Sequence, residues 1–472
     1  MKESNRSSVI EDVENLSEYL SGAPLMAHVR VGGFMKISVI GCGYLGAVHA
    51  AAMAELGHDV VGIDVDERKI DALASGQAPF FEPGLPEILT SASASGRLTF
   101  STDMAAVKGA TVHFVAVGTP QKPGSYSADM TYVDAAVDGL LPYLQDGDLV
   151  VGKSTVPVGT ASRLAAKVKD SAPGANLAWN PEFLREGFAV QDTISPDRLV
   201  YGVSPDPEVA GKSRALLNEV YAKALNEQTP LVVTDYATAE LVKVSANAFL
   251  ATKISFINAI AEIAEVTGGN VTELADAIGF DTRIGRRFLN AGIGFGGGCL
   301  PKDIRAFGAR AEELGRGESL AFLKEVDAIN LRRRQHVVDL VVEMLGGKAF
   351  EKRVAVLGLA FKPESDDIRD SPSLDIAVQL NGLGAIVRAT DPEAIQNAHA
   401  KHPQLHFVDT VAEAVEDAEI VLLLTEWKEY RSILPQQIEG LVAGKQIIDG
   451  RNVLDSAQWR DAGWTYRAMG RP

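Results

Sequence analysis

An apolar run that ends on a glycine turn, MKISVIGCGYLG (35–46), constrains this chain more than any other stretch. Its apolar residues are continuous rather than alternating, as in a strand buried on both faces of a parallel sheet. The turn that follows is G-x-G-x-x-G: Gly41, Gly43 and Gly46, with Tyr44 and Leu45 before the last glycine. Such glycines permit a tight strand-to-helix turn and the close approach of a pyrophosphate to the helix N-terminus. The same residues could serve only to tighten a turn. The next apolar run, HDVVGIDVD (58–66), argues otherwise, because Asp64 ends it where a carboxylate accepts from a ribose hydroxyl. That charge would repel a 2′-phosphate, so NAD is expected rather than NADP. Cys42 occupies a variable position of the turn and reads as a small packing residue.

The strand-then-turn theme recurs in ATVHFVAVGTP (110–120) and DLVVGKSTVP (148–157), with alanine-rich helical stretches between. From Thr234 the period changes. Apolar residues then recur at spacings of three and four over about nine turns, with Thr234 or Asp235 available as a cap and Gly268-Gly269 as a stop. A second long helix is expected over about 320–345. Alternation restarts at RVAVLGLAFKP (353–363) and continues through AIVRATDPEA (385–394), AEIVLLLTEW (418–427) and KQIIDGRNVLD (445–455). The expected fold is α/β: two Rossmann-type, doubly wound parallel-sheet domains joined by an all-helical middle domain. The expected divisions are an N-terminal extension (1–34), a dinucleotide-binding domain (35–233), a helical middle domain (234–346) and a second Rossmann-like domain (347–472).

With 472 residues the chain exceeds a single core, and 46% hydrophobic with 23% charged residues is a globular composition. A net charge of −17 argues against a nucleic-acid partner, since phosphates would meet no attracting field. An anionic ligand would need local cations. Two cysteines, Cys42 and Cys299, cannot build a disulfide framework, so a reducing cytoplasm is the expected location. No continuous apolar run suggests a bilayer span, and no metal site is expected. Residues 1–34 include Glu3, Glu11, Asp12, Glu14 and Glu18 and lack a basic start before an apolar block. They read as a disordered extension rather than a secretory signal.

The second glycine turn is degenerate, with Ala360 and Pro363 after Gly358, which does not suit a second dinucleotide. Lys362 and Arg451 sit just beyond strand ends, where ligands bind in such sheets. Cys299 follows GFGGG and precedes Pro301, so it lies at a helix start, where the helix and Lys302 should stabilise a thiolate. The glycines would let a second molecule hug the backbone on its way to the sulfur. Lys243 and Asn247 share one helix face and could together hold an oxyanion. NPEFLREG (180–187) places Glu182 and Glu186 after a short strand, where a carboxylate can act as a base.

GCGYLG, VGTP, KSTVPVG, NPEFLREG, the Lys243–Asn247 pair, GFGGGCLPKD, FKPESDDIRDSP and DGRN together resemble the UDP-glucose/GDP-mannose dehydrogenase family over about Met35 to Leu454. The resemblance implies a four-electron oxidation of a sugar C6 alcohol to a carboxylate with two NAD, through a Cys299 thiohemiacetal and thioester. It implies that Lys243 and Asn247 stabilise oxyanions, that Thr155 and Asp303 hold water, and that Glu182 is the base for hydrolysis. By the same resemblance Tyr44, Leu45, Asp64, Lys69, Thr119, Thr155, Glu186, Lys302 and Arg369 contact NAD. Phe183, Leu184, Arg185, Glu186, Arg283, Phe288, Leu289, Asn290, Ala291, Gly292 and Gly296 contact the sugar nucleotide, with Lys362 and Arg451. The middle helices would make a homodimer. QKPGSYSADM, after VGTP, does not follow the family closely, so contacts there are not assigned.

DGRN and RIGRRFL favour UDP-glucose over GDP-mannose, and the immediate Lys302-Asp303 disfavours a UDP-N-acetylhexosamine. A two-electron hydroxyacid dehydrogenase could also use a Lys-x-x-x-Asn helix but has no use for Cys299. A nucleotide-sensing module would bind NAD without turnover.

Overall fold

The computed structural model describes residues 34–472, so all but Phe34 of the N-terminal extension lies outside the described residues. Two sheets organise it. The first has the order β3-β2-β1-β4-β5-β6-β7-β8. Its strands are β1 (Lys36–Ile40), β2 (Asp59–Ile63), β3 (Leu98–Ser101), β4 (Val112–Val115), β5 (Leu149–Gly152), β6 (Asn176–Trp179), β7 (Leu199–Val203) and β8 (Leu231–Asp235). The first six follow the 3-2-1-4-5-6 order of a dinucleotide-binding sheet. β7 and β8 depart from the parallel expectation: they pair parallel with each other but β7 runs antiparallel to β6. The connection from β6 to β7 carries only the short helix Ala189–Ile194 and does not cross over the sheet in the right-handed way that parallel pairing requires.

The second sheet, β11-β10-β9-β12-β13-β14, is parallel throughout. It comprises β9 (Arg353–Leu357), β10 (Ile386–Thr390), β11 (His406–Phe407), β12 (Ile420–Leu423), β13 (Gln446–Asp449) and β14 (Thr465–Ala468). Its central strands β9, β12 and β13 are buried on both faces, as their unbroken apolar runs predict, while the edge strand β14 alternates exposed and buried residues.

Helices join the sheets. The long helix, Tyr236–Thr267, starts where the Asp235 carboxylate accepts from Thr238 N and stops at Gly268 in the left-handed region, φ 75°. It packs against Leu300–Glu313 and Phe322–Met344. By length and hydropathy this helix could cross a membrane, which the sequence reading did not register. It is instead built into the protein, with Glu240, Lys243, Asn247, Ser255 and Asn258 among its buried residues. Such polar groups need protein partners, and most find them here.

Candidate active site at the strand ends

The first glycine turn has the shape of a pyrophosphate seat. Gly41 has φ 92° and lies against Val117, and a Cβ on Gly46 would sit 1.8 Å from Gly41 O. Gly43, by contrast, faces open space, with nothing within 4 Å of a Cβ built there. Asp64 accepts from Cys42 N at 2.8 Å and from Asp66 N at 3.0 Å, and pairs with Lys69 at 3.1 Å. The carboxylate is thus held at the lip of the turn, with Lys69 beside it. Tyr44 turns its hydroxyl to the buried Glu82, which also accepts from Gly187 N and Ala189 N, each at 2.7 Å. Glu82 therefore ties the glycine turn to the NPEFLREG segment.

The second turn is closed by the protein itself. Leu359 N and Ala360 N donate to Asp391 at 2.7 and 3.0 Å, and Trp427 Nε1 donates to the same oxygen. Asp391 thus holds the donors of the second turn, as Asp64 holds Cys42 N in the first, and adds Ala360 N and the Trp427 indole.

Between the sheets, side chains from two helices and from the segments after β4, β5, β6 and β9 converge. Cys299 caps Leu300–Glu313. Asp303, one turn on, is 2% exposed, accepts from Asn247 Nδ2 at 2.6 Å and pairs with Lys302 at 2.5 Å. Lys302 Nζ also reaches Thr119 Oγ1 at 3.5 Å, and Thr119 donates to the Thr155 carbonyl at 2.8 Å. Lys243 lies 3.9 Å from Glu182 and over the Phe183 ring. From the second sheet, Lys362 donates to Glu186 O at 2.6 Å, and Arg369 pairs with Glu186 at 3.2 Å.

Electrostatics corrects one expectation. Cys299 is exposed as a residue, yet protein surrounds it closely. That crowding, with the Asp303 and Glu186 carboxylates adding to it, pushes the thiol up to about 11, against the pull of Lys243 and Lys302. The helix start, Lys302 and Lys243 do not offset that burial in the ligand-free protein. Burial likewise pushes Glu182 up, opposed by Lys243 and Lys153. Glu186 rises to about 7 through burial and the neighbouring Asp367, with Arg369 and Lys362 pulling it down.

The glycines before Cys299 also have a different duty from the one expected. A Cβ at Gly294 would strike Asn330, at Gly296 the Asp370 carbonyl, at Gly297 the Phe361 ring and at Gly298 the Arg369 guanidinium, all within 2.8 Å. They let the loop pack against its own protein. Buried amides bolt it down: Asn258 accepts from Gly292 N, and Asn330 exchanges two bonds with Phe295.

Arg451 is similarly committed. It donates to the carbonyls of Leu424, Gly294 and Phe361 at 2.7, 3.0 and 3.2 Å and pairs with Glu426 at 3.2 Å. It braces the cysteine loop against the second sheet rather than standing as a spare cation. Arg283 is not brought to the cluster. Its side chain is 88% exposed and pairs with Asp281. Arg185 pairs with Asp192, and the Leu289 and Ala291 side chains pack into a small core with Ile257 and Ala261. Phe288 adopts φ 66° beside them, and the Asn290 amide oxygen accepts from Arg286.

Comparison with known proteins decides what this arrangement belongs to. The UDP-glucose/GDP-mannose dehydrogenase family matches by its NAD binding domain over residues 35–225, its central domain over 237–332 and its UDP binding domain over 355–456. The chain belongs to that family. Similar proteins include a UDP-glucose 6-dehydrogenase of Rhizobium meliloti (41% identical over 93% of this chain and 100% of its own). The UDP-glucose 6-dehydrogenase TuaD of Bacillus subtilis is also 41% identical, over 93% of each chain. Among solved structures, a UDP-glucose dehydrogenase of Pyrobaculum islandicum superposes with TM-score 0.84 at 37% identity, covering 94% of this chain and 99% of its own. A UDP-D-ManNAc dehydrogenase of Pyrococcus horikoshii gives 0.81 at 27%, covering 93% and 99%.

As a member of this family the chain is an NAD-binding oxidoreductase, and the open face of Gly43 beside Asp64 fits that cofactor. Sequence reasoning passed over Lys153, Asn180, Glu82, Asn258 and Asn330. Lys153 and Asn180 each follow directly on a strand, which was the available signal. The two helix asparagines could have been found as polar residues on apolar helix faces.

Proposed function

We propose that the chain oxidises the C6 alcohol of UDP-glucose to the carboxylate of UDP-glucuronate, using two NAD per sugar. The observation that carries this reading is that Cys299 and Asp303, at one helix start, face Lys243 and Asn247 of the long helix, with Glu182 beside Lys243. When bound, the cofactor accepts one hydride in each of two successive oxidations. After the first, the Cys299 sulfur attacks the aldehyde carbon, forming a C–S bond and an oxyanion that Lys243 and Asn247 are placed to hold. After the second, the carbon is a thioester. Glu182 takes a proton from water as the water oxygen attacks, and the C–S bond breaks to release the carboxylate and the Cys299 thiol. Thr155 and Asp303 are the residues that would hold that water, as the family resemblance implies. Lys362, facing Glu186 from the second sheet, is the cation available to the nucleotide sugar's diphosphate.

The long helix supports a homodimer. Phe249, Phe256 and Ile263 recur every seven residues on one stripe and are 66%, 50% and 59% exposed, with Val266 at 82%. A stripe at heptad spacing fits the same helix of a second copy. The need for a reduced Cys299 fits a cytoplasmic location.

The test is NADH formed per sugar with UDP-glucose, GDP-mannose and UDP-N-acetylglucosamine. Two NADH per UDP-glucose, with the other two slower, supports the proposal. A preference for GDP-mannose would keep the chemistry and change the sugar. One NADH per substrate would favour two-electron chemistry, and none would leave a nucleotide-binding module.

A further inference from the structure

A narrow cleft reaches Glu182 without touching Cys299, Asn247 or Asp303. It is lined by His49, Lys153, Asn180 and Tyr221 on its buried side and by Asp192 and Arg198 nearer the surface. Lys153 is the unusual member. It is 6% exposed, immediately follows β5, and lies 5.7 and 5.8 Å from the Phe114 and Tyr221 ring centres. Its Nζ donates to Asn180 Oδ1 at 3.1 Å and reaches the Tyr221 hydroxyl at 3.2 Å. Tyr221 donates in turn to Asn180 Oδ1 at 2.6 Å, and Asn180 Nδ2 donates to the Val200 carbonyl. No carboxylate is salt-bridged to this ammonium among the described residues. Burying a cation without a paired anion costs several kcal/mol on general grounds, so its presence calls for a reason other than packing.

We propose that Lys153 is a positioning residue for Glu182. Its ammonium fixes Asn180, two residues before Glu182, and with Lys243 places a second positive charge near that carboxylate, so that a buried acid remains a base. The inference rests on the thioester reading of the site. The charges around both groups agree with it. Glu182 is pushed up by burial, then pulled down by Lys243, by Lys153 and by the Leu184 N–H, with Asp192 opposing. Lys153 is lowered to about 8 by burial, with Glu182 raising it and Lys243 lowering it, so it still carries its charge at neutral pH. His49 behind it is held neutral by burial, with Lys153 and His58 adding to that, so it brings no competing charge. Tyr221 is pushed well above the ordinary phenol range by burial, with Tyr201 and Glu182 adding, and remains a neutral donor.

The sign follows. Removing the Lys153 charge lets the Glu182 pKa rise, and a general base works only when ionised. The ascending limb of thioester hydrolysis against pH therefore moves to higher pH. The experiment mixes full-length enzyme with UDP-glucose and NAD in single turnover, quenches in acid, and follows decay of the Cys299 acyl adduct by intact mass across pH. Lys153→Met is a near-isostere, and Asn180 Oδ1 keeps Tyr221 as donor. Lys153→Gln retains an N–H donor, and Lys153→Arg retains the charge. Both neutral variants should shift the limb up by about one pH unit, slowing hydrolysis about tenfold on that limb, while Lys153→Arg stays near wild type. Folded neutral variants with an unmoved limb would overturn the proposal. So would collapse of both neutral variants beside a folded Lys153→Arg with a shifted limb, since that makes Lys153 structural. Glu182→Gln separates this from the underlying reading. If it fails to accumulate the adduct, the role given to Glu182 falls; if it accumulates the adduct while the Lys153 variants show no shift, only the Lys153 inference falls.

Discussion

Asn247 donates its carboxamide N–H to Asp303 at 2.6 Å, across helices whose residues lie 56 apart in the chain. Lys302 holds the same carboxylate at 2.5 Å, so Asp303 is fixed from both sides while 2% exposed. Asn247→Ala should free the carboxylate and remove an oxyanion donor together. We expect kcat to fall by roughly 10²–10³ with NAD affinity little changed. Stability should fall by about 1–3 kcal/mol, since a buried acceptor loses a donor. Steady-state NADH formation and denaturant melts check this. A kcat within threefold of wild type would remove Asn247 from the chemistry.

Cys299 gives a pH prediction that the ligand-free protein can test. With its thiol pushed up to about 11, the thiolate fraction at pH 8 is small and should grow about tenfold per pH unit. Alkylation by iodoacetamide should therefore keep accelerating from pH 8 to 10. A plateau near pH 8 would show a thiolate already formed. In turnover, Cys299→Ala should abolish release of the second NADH, and near-normal rates would sink the covalent route.

Asp64 holds Cys42 N, Asp66 N and Lys69 at once, so it serves the turn in addition to the ribose contact proposed for it. Asp64→Ala should weaken NAD binding and narrow the preference over NADP, as acceptor and repelling charge leave together. The ratio of kcat/KM for the two cofactors is the measurement. Equal use of both by the wild type would refute the assignment.

Arg451 gives three of its bonds to carbonyls in the cysteine loop and at the ends of the second sheet. Arg451→Ala should cost about 3 kcal/mol in denaturant melts, because several acceptors and Glu426 lose their partner. It should also raise the KM for UDP-glucose while NAD affinity holds. Arg451→Lys should melt nearly as low, as a point charge cannot serve a fork of carbonyls. A wild-type melt with only KM raised would instead make Arg451 a direct phosphate ligand.

Phe256 lies half exposed in the centre of the apolar stripe of the long helix. In the proposed dimer a carboxylate at this position would be buried against a second copy without a partner, so Phe256→Glu should sediment as monomer at micromolar protein where the wild type sediments as dimer. An unchanged sedimentation coefficient would place the interface elsewhere.

Local patterns carried much of this molecule. Continuous apolar runs ending on Gly41 and Gly358 specify buried strands entering turns, and the three-and-four spacing after Asp235 specifies a helix, because each depends on neighbours in the chain. Asp64, Cys299 and the Lys243–Asn247 pair were legible for the same reason: strand ends, helix starts and helix faces have fixed spacings. The antiparallel turn-back of β7 was not legible, since pairing direction is decided by where a connection travels.

The tertiary structure alone decided the charges and the clearances. A cysteine at a helix start reads locally as acidic, but its pKa depends on how much protein surrounds the sulfur and where Asp303 and Glu186 come to rest. A run of glycines reads locally as room for a ligand, but the space beside Gly294, Gly296, Gly297 and Gly298 is taken by residues distant in the chain. Arg451 reads as a free cation until three carbonyls arrive from other elements. Backbone conformation is governed by neighbours a few residues away, so sequence specifies it; desolvation and steric exclusion act through space, so only the packed chain sets them.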